Sequence, residues 1–266
     1  MGGSYDYDRL EPGTREELAR LIAAENLGNS NKYYPKPGIK DSFYKTVGKR
    51  AFDIAISASA LVIFLPVNLV IAVITYADVG SPILFKQTRM GKGHKPFTMV
   101  KFRNMTNETD GNGVLLRADK RVTKWGRFVR KTSLDELLNF YSILKGDMSV
   151  IGPRPLPCVY EGRFNNYHEL RHSVKPGLDC PLRDPSKKMT WANRLDNDAW
   201  YAQNISFATD MRLLWLLFRE TVFGKDKQAR AGGFSEGSFM GYFPDGRVMD
   251  SNSIPEEYYE KVLGKT

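Results

Sequence analysis

Cysteine and histidine are scarce in this chain, and each scarcity excludes something. Its 266 residues include two cysteines, Cys158 and Cys180, with neither metal-ligand spacing nor a disulfide framework. A reducing, cytoplasmic setting is the simpler expectation. The three histidines are His94, His168 and His172. His168 and His172 stand four apart, a spacing that suits a helical metal pair, but no third ligand is spaced to complete a site. Surface or structural roles are therefore expected for all three. Residues 1–44 are polar and contain no apolar segment of the secretory type. No internal repeat is present. Acidic residues are also short, leaving a formal charge of +9. Such a chain favours acidic partners: nucleic acid, anionic lipid or a phosphorylated small molecule.

One stretch breaks the polar pattern. From Ala51 to Ala77 nearly every residue is apolar, and Asp53 is the only charge. As a helix it would run roughly 40 Å against a hydrocarbon core of about 30 Å, so length permits a membrane span. A buried core helix is the alternative. Pro66, near the middle, removes a backbone donor and predicts a kink or break. Each half is then too short to cross alone, and a helix that enters and returns to the same face becomes an option, with Asn68, Ser57 or Ser59 satisfying freed backbone groups. Lys45, Lys49 and Arg50 precede the stretch, and Lys86, Arg89 and Lys92 follow it. By the positive-inside rule both ends belong in the cytoplasm.

Around this stretch the elements predict an α+β fold. Thr14 to Leu27 is a helix candidate with Thr14 and Glu17 as capping box, and Lys32 to Lys40 is a linker or a surface-hugging loop. Pro82 to Gln87 and Phe97 to Phe102 read as strands joined by a turn. Leu134 to Lys145 reads as one amphipathic helix, with Gly146 at its C-terminal cap. The apolar run Met211 to Phe218 is too short to span, so it is a buried helix or one lying in the membrane interface. Beyond Gly224 the chain is Gly-rich and polar, with a turn at Pro244-Asp245-Gly246. The domain division expected is a polar arm (1–44), the membrane helix (45–78), a small catalytic domain (79–223) and a C-terminal extension (224–266).

Three constellations can carry chemistry. Ser133-Leu134-Asp135-Glu136 matches an S-x-x-E capping box, and on that reading both acids serve only the helix dipole. Basic neighbours change the weighting: Arg127, Arg130 and Lys131 lie just upstream, and Arg154 follows in Gly152-Pro153-Arg154-Pro155. A carboxylate among cations stays ionised and can attack phosphorus. Cations and a divalent metal would then stabilise the transferring phosphoryl group. Lys101-Phe102-Arg103 is either a solvated edge strand or a pair of cations aimed at phosphates. The two prolines around Arg154 make it either a rigid surface turn or a phosphate clamp. The basic run Arg117 to Lys131 comes without a nucleic-acid-binding motif, so no nucleic-acid partner is expected.

These pieces stand in a recognisable order. Lys49-Arg50-Ala-Phe-Asp53 comes first, then Gly80-Ser-Pro82-Ile-Leu-Phe85-Lys-Gln87-Thr-Arg89-Met-Gly91 and Lys101-Phe102-Arg103-Asn-Met105. Arg121-Val-Thr123-Lys-Trp-Gly126 and Ser133-Leu-Asp135-Glu136-Leu follow, then Leu144-Lys-Gly146-Asp147-Met148-Ser149-Val-Ile-Gly152-Pro153-Arg154-Pro155, Lys175-Pro176-Gly177 and Asp198-Ala-Trp-Tyr201. From about Lys49 to about Thr221 the chain resembles bacterial sugar transferases of the monotopic phosphoglycosyl transferase family. The resemblance implies a re-entrant membrane helix broken at Pro66, interfacial amphipathic helices, and a catalytic domain facing the cytoplasm from the bacterial inner membrane. It implies Mg²⁺ at Asp135 and Glu136, a UDP-sugar donor and polyprenyl (undecaprenyl) phosphate as acceptor. Asp135 matches the nucleophile that forms a covalent phosphosugar intermediate and expels UMP. Glu136 matches the second member of the dyad. Arg130 and Arg154 match phosphate-holding positions, and Lys101, Arg103 and Asp198 are assigned to the same substrate pocket. After Lys175-Pro176-Gly177-Leu178 the chain departs from the family pattern, running into Asp179-Cys180-Pro181-Leu182-Arg183. Leu65 stands where a small residue often precedes the proline. The rival expectation is a membrane-anchored protein that binds anionic lipid or nucleotide sugar without turnover. Neither the sugar nor a homodimer is specified by the sequence.

Overall fold

The computed structural model describes residues 5–35, 37–38, 41–223 and 237–264. In chain order its elements are α1 (Pro12–Tyr33), α2 (Lys49–Ile63), α3 (Leu65–Val79), β1 (Leu84–Met90), β2 (Pro96–Phe102), α4 (Ala118–Arg121), α5 (Lys124–Thr132), α6 (Asn139–Lys145), β3 (Ser149–Ile151), β4 (Gly177–Asp179), α7 (Trp191–Gln203), α8 (Phe207–Phe223), β5 (Phe239–Tyr242), β6 (Val248–Asp250) and α9 (Glu256–Leu263). Helices dominate, and three two-stranded sheets stitch them together: antiparallel β1–β2, parallel β3–β4 and antiparallel β5–β6. The α+β expectation matches this architecture.

The apolar stretch is two helices. Phe64 (φ −90°, ψ 2°) ends α2 and begins α3, and the helix pair from Tyr44 to Val79 bends by 58° there. Pro66 sits in the first turn of α3, where its missing N–H costs nothing. The bend therefore precedes the proline, because the proline ring disfavours continued helix on its N-terminal side. Among the described residues no single helix is long and apolar enough to cross a membrane. Val62, Ile63, Leu65, Leu69, Val70 and Val73 are each more than half exposed. The opposite side of the pair is fastened to the rest of the chain. Ser149 Oγ and Val150 N–H both donate to Asp53 Oδ1 at 2.9 Å. Lys49 Nζ reaches Asp210 Oδ2 at 2.8 Å, and the Tyr44 and Tyr201 hydroxyls each donate to Asp210 at 2.7 Å. Arg50 donates to the Ile143 and Leu144 carbonyls that α6 leaves open at its C-terminus, both at 2.7 Å. On α3, Thr75 and Asp78 accept from Trp125 and Thr123 of the α5 region.

Behind this helix pair lies the main core, with Ile143, Met148, Val150, Ile151, Ala199, Tyr201 and Leu213 all but inaccessible. The run within α8 is partly buried: Leu213 and Leu216 enter the core, whereas Trp215 and Phe218 remain more than half exposed. Parallel β3 and β4 approach so closely that a Cβ on Gly177 would run into the Gly152 backbone. That contact holds the Gly152–Pro155 segment against the core.

Several local expectations are corrected. The first helix runs from Pro12 to Tyr33, so Thr14 lies inside its first turn and forms no capping box, and the helix absorbs the start of the expected linker. Positions 36, 39 and 40 of that linker lie outside the described residues. The predicted helix from Leu134 to Lys145 is a 3₁₀ turn (Leu134–Glu136) followed by α6. Residues of the polar arm and of the C-terminal extension pack on one another. Leu18, Ala19 and Ile22 of α1 share a core with Met240, Met249, Tyr258 and Val262, and Asn26 donates to the Tyr258 hydroxyl at 2.7 Å. Tryptophan and tyrosine anchor this unit to the catalytic portion: Trp191 Nε1 donates to the Gly237 carbonyl at 2.7 Å, and Tyr242 OH lies 2.8 Å from His168 Nδ1. The turn at Pro244–Gly246 does join β5 and β6, with Gly246 at φ 84°.

Asp210 and Lys49 are both buried, so removing one partner strands the other's charge. Lys49→Met should cost about 3 kcal/mol, a fall of roughly 6–12 °C in the melting temperature of detergent-solubilised protein; an unchanged melting temperature would show that the pair does not secure α2.

Candidate active site

The site begins with a backbone turn. Ser133 ends α5 in the left-handed region (φ 57°, ψ 21°) and donates its N–H back to the Arg130 carbonyl. Its side chain makes no capping hydrogen bond, so the expected Ser133–Glu136 capping box does not form. The left-handed residue, rather than a cap, turns the following 3₁₀ segment inward and sends its two acids in different directions.

Asp135 is buried, 3% exposed. Asn104, two residues beyond β2, donates from Nδ2 to Asp135 Oδ2 at 2.8 Å. Asn104 can sit there because α5 packs directly on its backbone: a Cβ on Gly126 would run into the Asn104 carbonyl oxygen. Burial, then the charge of Glu136, pushes the Asp135 carboxyl up to about 6, while Lys101 and the Asn104 hydrogen bond pull the other way. The expectation of a carboxylate held ionised by cations is thus modified, because desolvation outweighs them. Asp135 nonetheless remains predominantly ionised at neutral pH.

Glu136 turns to Arg154. The guanidinium grips both carboxylate oxygens, Nη2 to Oε1 at 2.5 Å and Nη1 to Oε2 at 3.2 Å. Burial works against the Arg154 charge, but Glu136 and Asp179 more than offset it and hold the group above its usual range. Arg154 also donates to the Leu178 carbonyl, and its own carbonyl accepts from Arg171 at 2.8 Å. Lys101 on β2 is pulled down by burial and by the charges of Arg130 and Arg154, against the opposite pull of Asp135 and Glu136. It rests over the Phe85 ring at 5.8 Å.

The structure therefore gathers Asp135, Glu136, Lys101 and Arg154, with Arg130 close enough for its charge to reach Lys101. Two expected members stand elsewhere. Arg103 is buried and donates to the Val79, Gly80 and Ser81 carbonyls, closing the C-terminal end of α3 instead of facing a phosphate. Asp198 is buried in an ion pair with Arg171 at 3.0 Å. Arg171 in turn donates to the Arg154 carbonyl, and that is how Asp198 is linked to the site. In both cases sequence could not tell a cation or acid aimed at substrate from one satisfying buried backbone or an internal charge. Two neighbours were not singled out as site residues: Asn104, and Arg89, whose guanidinium is pulled down by burial and by Arg154. Both lie inside quoted motifs, but only the β1–β2 pairing and the α5 contact bring them to the carboxylates.

Asp135 and Glu136 offer hard oxygen donors, with Glu136 shared with Arg154. Mg²⁺ usually takes one or two carboxylates and completes its shell with phosphates and water, so the pair fits such an ion in the presence of a phosphorylated substrate. Buried Asp135 and half-buried Glu136 thus stand beside the cations Lys101 and Arg154 on an α+β scaffold. Residues 44–224 match the family model described as bacterial sugar transferase; the chain belongs to that family and is a transferase. It is 38% identical over 175 residues to the uncharacterized sugar transferase EpsL of Bacillus subtilis, covering 65% of this chain and 87% of that one. It is 38% identical over 183 residues to the exopolysaccharide production protein PSS of Rhizobium leguminosarum, covering 63% and 91%. Similarity at 40% identity over 182 residues extends to the UDP-glucose:undecaprenyl-phosphate glucose-1-phosphate transferase of Escherichia coli. The matched part is 63% of this chain but only 39% of that longer protein.

The raised Asp135 value has a thermodynamic consequence. Below about pH 4 the carboxyl is protonated in both folded and unfolded chains and costs nothing; between about pH 4 and 6 the unfolded chain ionises first; above that the penalty is fully present. Asp135→Asn should therefore stabilise the fold by on the order of 2 kcal/mol at pH 8, with the gain vanishing near pH 4. Paired melting curves across that range check it, and a pH-independent difference would place the effect elsewhere.

Proposed function

We propose that the chain transfers a phosphosugar from a UDP-sugar to undecaprenyl phosphate, through a covalent intermediate on Asp135. What carries the reading is the division of labour in the acid pair: Glu136 is charge-matched by Arg154, whereas Asp135 keeps an ionisable carboxyl whose only side-chain hydrogen bond, among the described residues, comes from Asn104. An Asp135 oxygen attacks the sugar-bearing phosphorus of the diphosphate. The bond from that phosphorus to the bridging oxygen breaks, and UMP leaves with the electron pair. A phosphate oxygen of the polyprenyl acceptor then attacks the same phosphorus, releasing Asp135 as carboxylate and forming the diphosphate-linked sugar. Lys101, Arg130 and Arg154 offset the charge on the phosphoryl oxygens. Arg154 also holds Glu136 in place. Mg²⁺, held by Asp135 and Glu136, would neutralise diphosphate charge. The raised Asp135 value increases nucleophilicity while leaving the group ionised at neutral pH.

The names of the relatives support these substrates, since the Escherichia coli protein is named for UDP-glucose and undecaprenyl phosphate. The bent apolar pair supports a re-entrant membrane segment with both ends cytoplasmic, and exposed Trp215 and Phe218 support an interfacial seat for α8. On this reading the enzyme works at the cytoplasmic face of the bacterial inner membrane, in glycoconjugate or exopolysaccharide synthesis.

Full-length protein in nanodiscs, given a UDP-sugar panel, Mg²⁺ and undecaprenyl phosphate, should release UMP. Asp135→Asn should lower that rate by about 10³-fold or more. Omitting the acceptor should leave a phosphosugar adduct on the Asp135 peptide by mass spectrometry. UMP release that persists in the variant would remove Asp135 as nucleophile, and absence of turnover with every donor would favour a binding protein. kcat/KM should fall about tenfold per pH unit below about pH 6, as the free carboxylate is lost. For topology, cysteines placed at Val47 and Tyr76, both exposed, should label only from the cytoplasmic side; labelling of one from outside would mean a true span.

A further inference from the structure

Away from the acid pair, the tip of the β1–β2 hairpin meets a 3₁₀ segment that runs from His168 to Ser173. Three ligand-type side chains converge there. His94 Nε2 lies 2.5 Å and His172 Nδ1 3.0 Å from the same oxygen, Oε1 of Glu169. One donor atom from each residue falls within 4.8 Å of the others, and the two imidazole rings are 4.6 Å apart. On the far side of its ring, His94 Nδ1 faces Glu161 Oε1 at 3.6 Å. His94 is held in the left-handed region, φ 61°, where non-glycine residues are uncommon. The hairpin tip thus points an imidazole at the cluster at some conformational cost.

We propose that His94, Glu169 and His172 bind one divalent transition-metal ion of the zinc class. Two imidazoles and a carboxylate form a three-ligand set used for Zn²⁺, which binds them at about 2.0–2.1 Å and leaves a fourth position for water or another donor. Donors around such a tetrahedral ion stand about 3.3 Å apart. The present spacing needs only a side-chain adjustment, with Glu169 moving off the centre it now occupies. Glu161 stands where an outer carboxylate would orient the His94 ring and fix its tautomer. Two nitrogen ligands select against Mg²⁺ and Ca²⁺, so this ion is chemically distinct from one held by Asp135 and Glu136. The ion would tie the β1–β2 hairpin, which carries Arg89 and Lys101, to the segment containing Arg171. A small cleft lined by Gly91, Arg154, Arg171 and His172 lies alongside. Its role would be to brace the cationic side of the site.

The test uses the full chain without a histidine tag, stripped with chelator and dialysed against micromolar Zn²⁺ in millimolar Mg²⁺. Elemental analysis should find one Zn²⁺ per chain. Co²⁺ in its place should give the visible absorption of a four-coordinate ion. His94→Ala, at the half-exposed hairpin tip, should abolish both signals with an unchanged melting temperature in chelator. His172→Ala should lose the metal as well, and Glu161→Gln should weaken binding about tenfold or more. Zn²⁺ should raise the melting temperature of the wild-type chain and leave that of His94→Ala unmoved. Less than a tenth of an equivalent bound would overturn the proposal. So would an equivalent retained by folded His94→Ala, or one lost instead in Asp135→Asn.

Discussion

The buried carboxylate of Asp210 is the point on which the arrangement of this molecule turns. It accepts from Tyr44 and Tyr201 and pairs with Lys49, joining the entrance of the apolar helix pair to α7 and α8 in one buried cluster. Asp53, one turn further along α2, binds the β3 strand in the same way. Charges in such places are costly unless fully matched. The helix pair can therefore expose its apolar face on one side only because its other side is held by specific polar contacts. β3 leads directly into Gly152–Pro155, so the same anchors set the position of Arg154 relative to the apolar surface.

Within the site, geometry sorts two adjacent acids into different tasks. The 3₁₀ turn after left-handed Ser133 gives Glu136 to Arg154 and leaves Asp135 facing Asn104 and Lys101. Burial, and then the charge of Glu136, raises the Asp135 carboxyl to about 6 against the opposing pull of Lys101 and Asn104, which destabilises the fold. Cations that look equivalent in the sequence are sorted as well. Arg50 and Arg103 close the open carbonyls of helix C-termini, whereas Lys101, Arg130 and Arg154 remain with the acids.

Elements governed by local rules were legible in advance. The apolar stretch, the interruption near Pro66, the paired strands around residues 84–102 and the turn at Pro244–Gly246 all follow from periodicity and proline or glycine chemistry. The motif order pointed to the family. Capping boxes at Thr14 and Ser133 did not form. In the first case Pro12 starts the helix earlier, and in the second tertiary packing holds Ser133 in a left-handed conformation. The joining of the two termini into one unit was invisible because residues such as Asn26 and Tyr258 are separated by most of the chain.

The sequence by itself determined what kinds of groups are present and which stretches must be helical, apolar or turning, because those properties depend on neighbours a few residues away. Only the tertiary structure decided which cation stands beside the acid pair and which closes a helix end. It alone decided which acid is neutralised and which is not, and that His94, Glu169 and His172 share one corner. Those outcomes depend on burial and on distances between residues remote in the chain, and a carboxylate or imidazole carries no mark of its eventual neighbours until the core has closed around it.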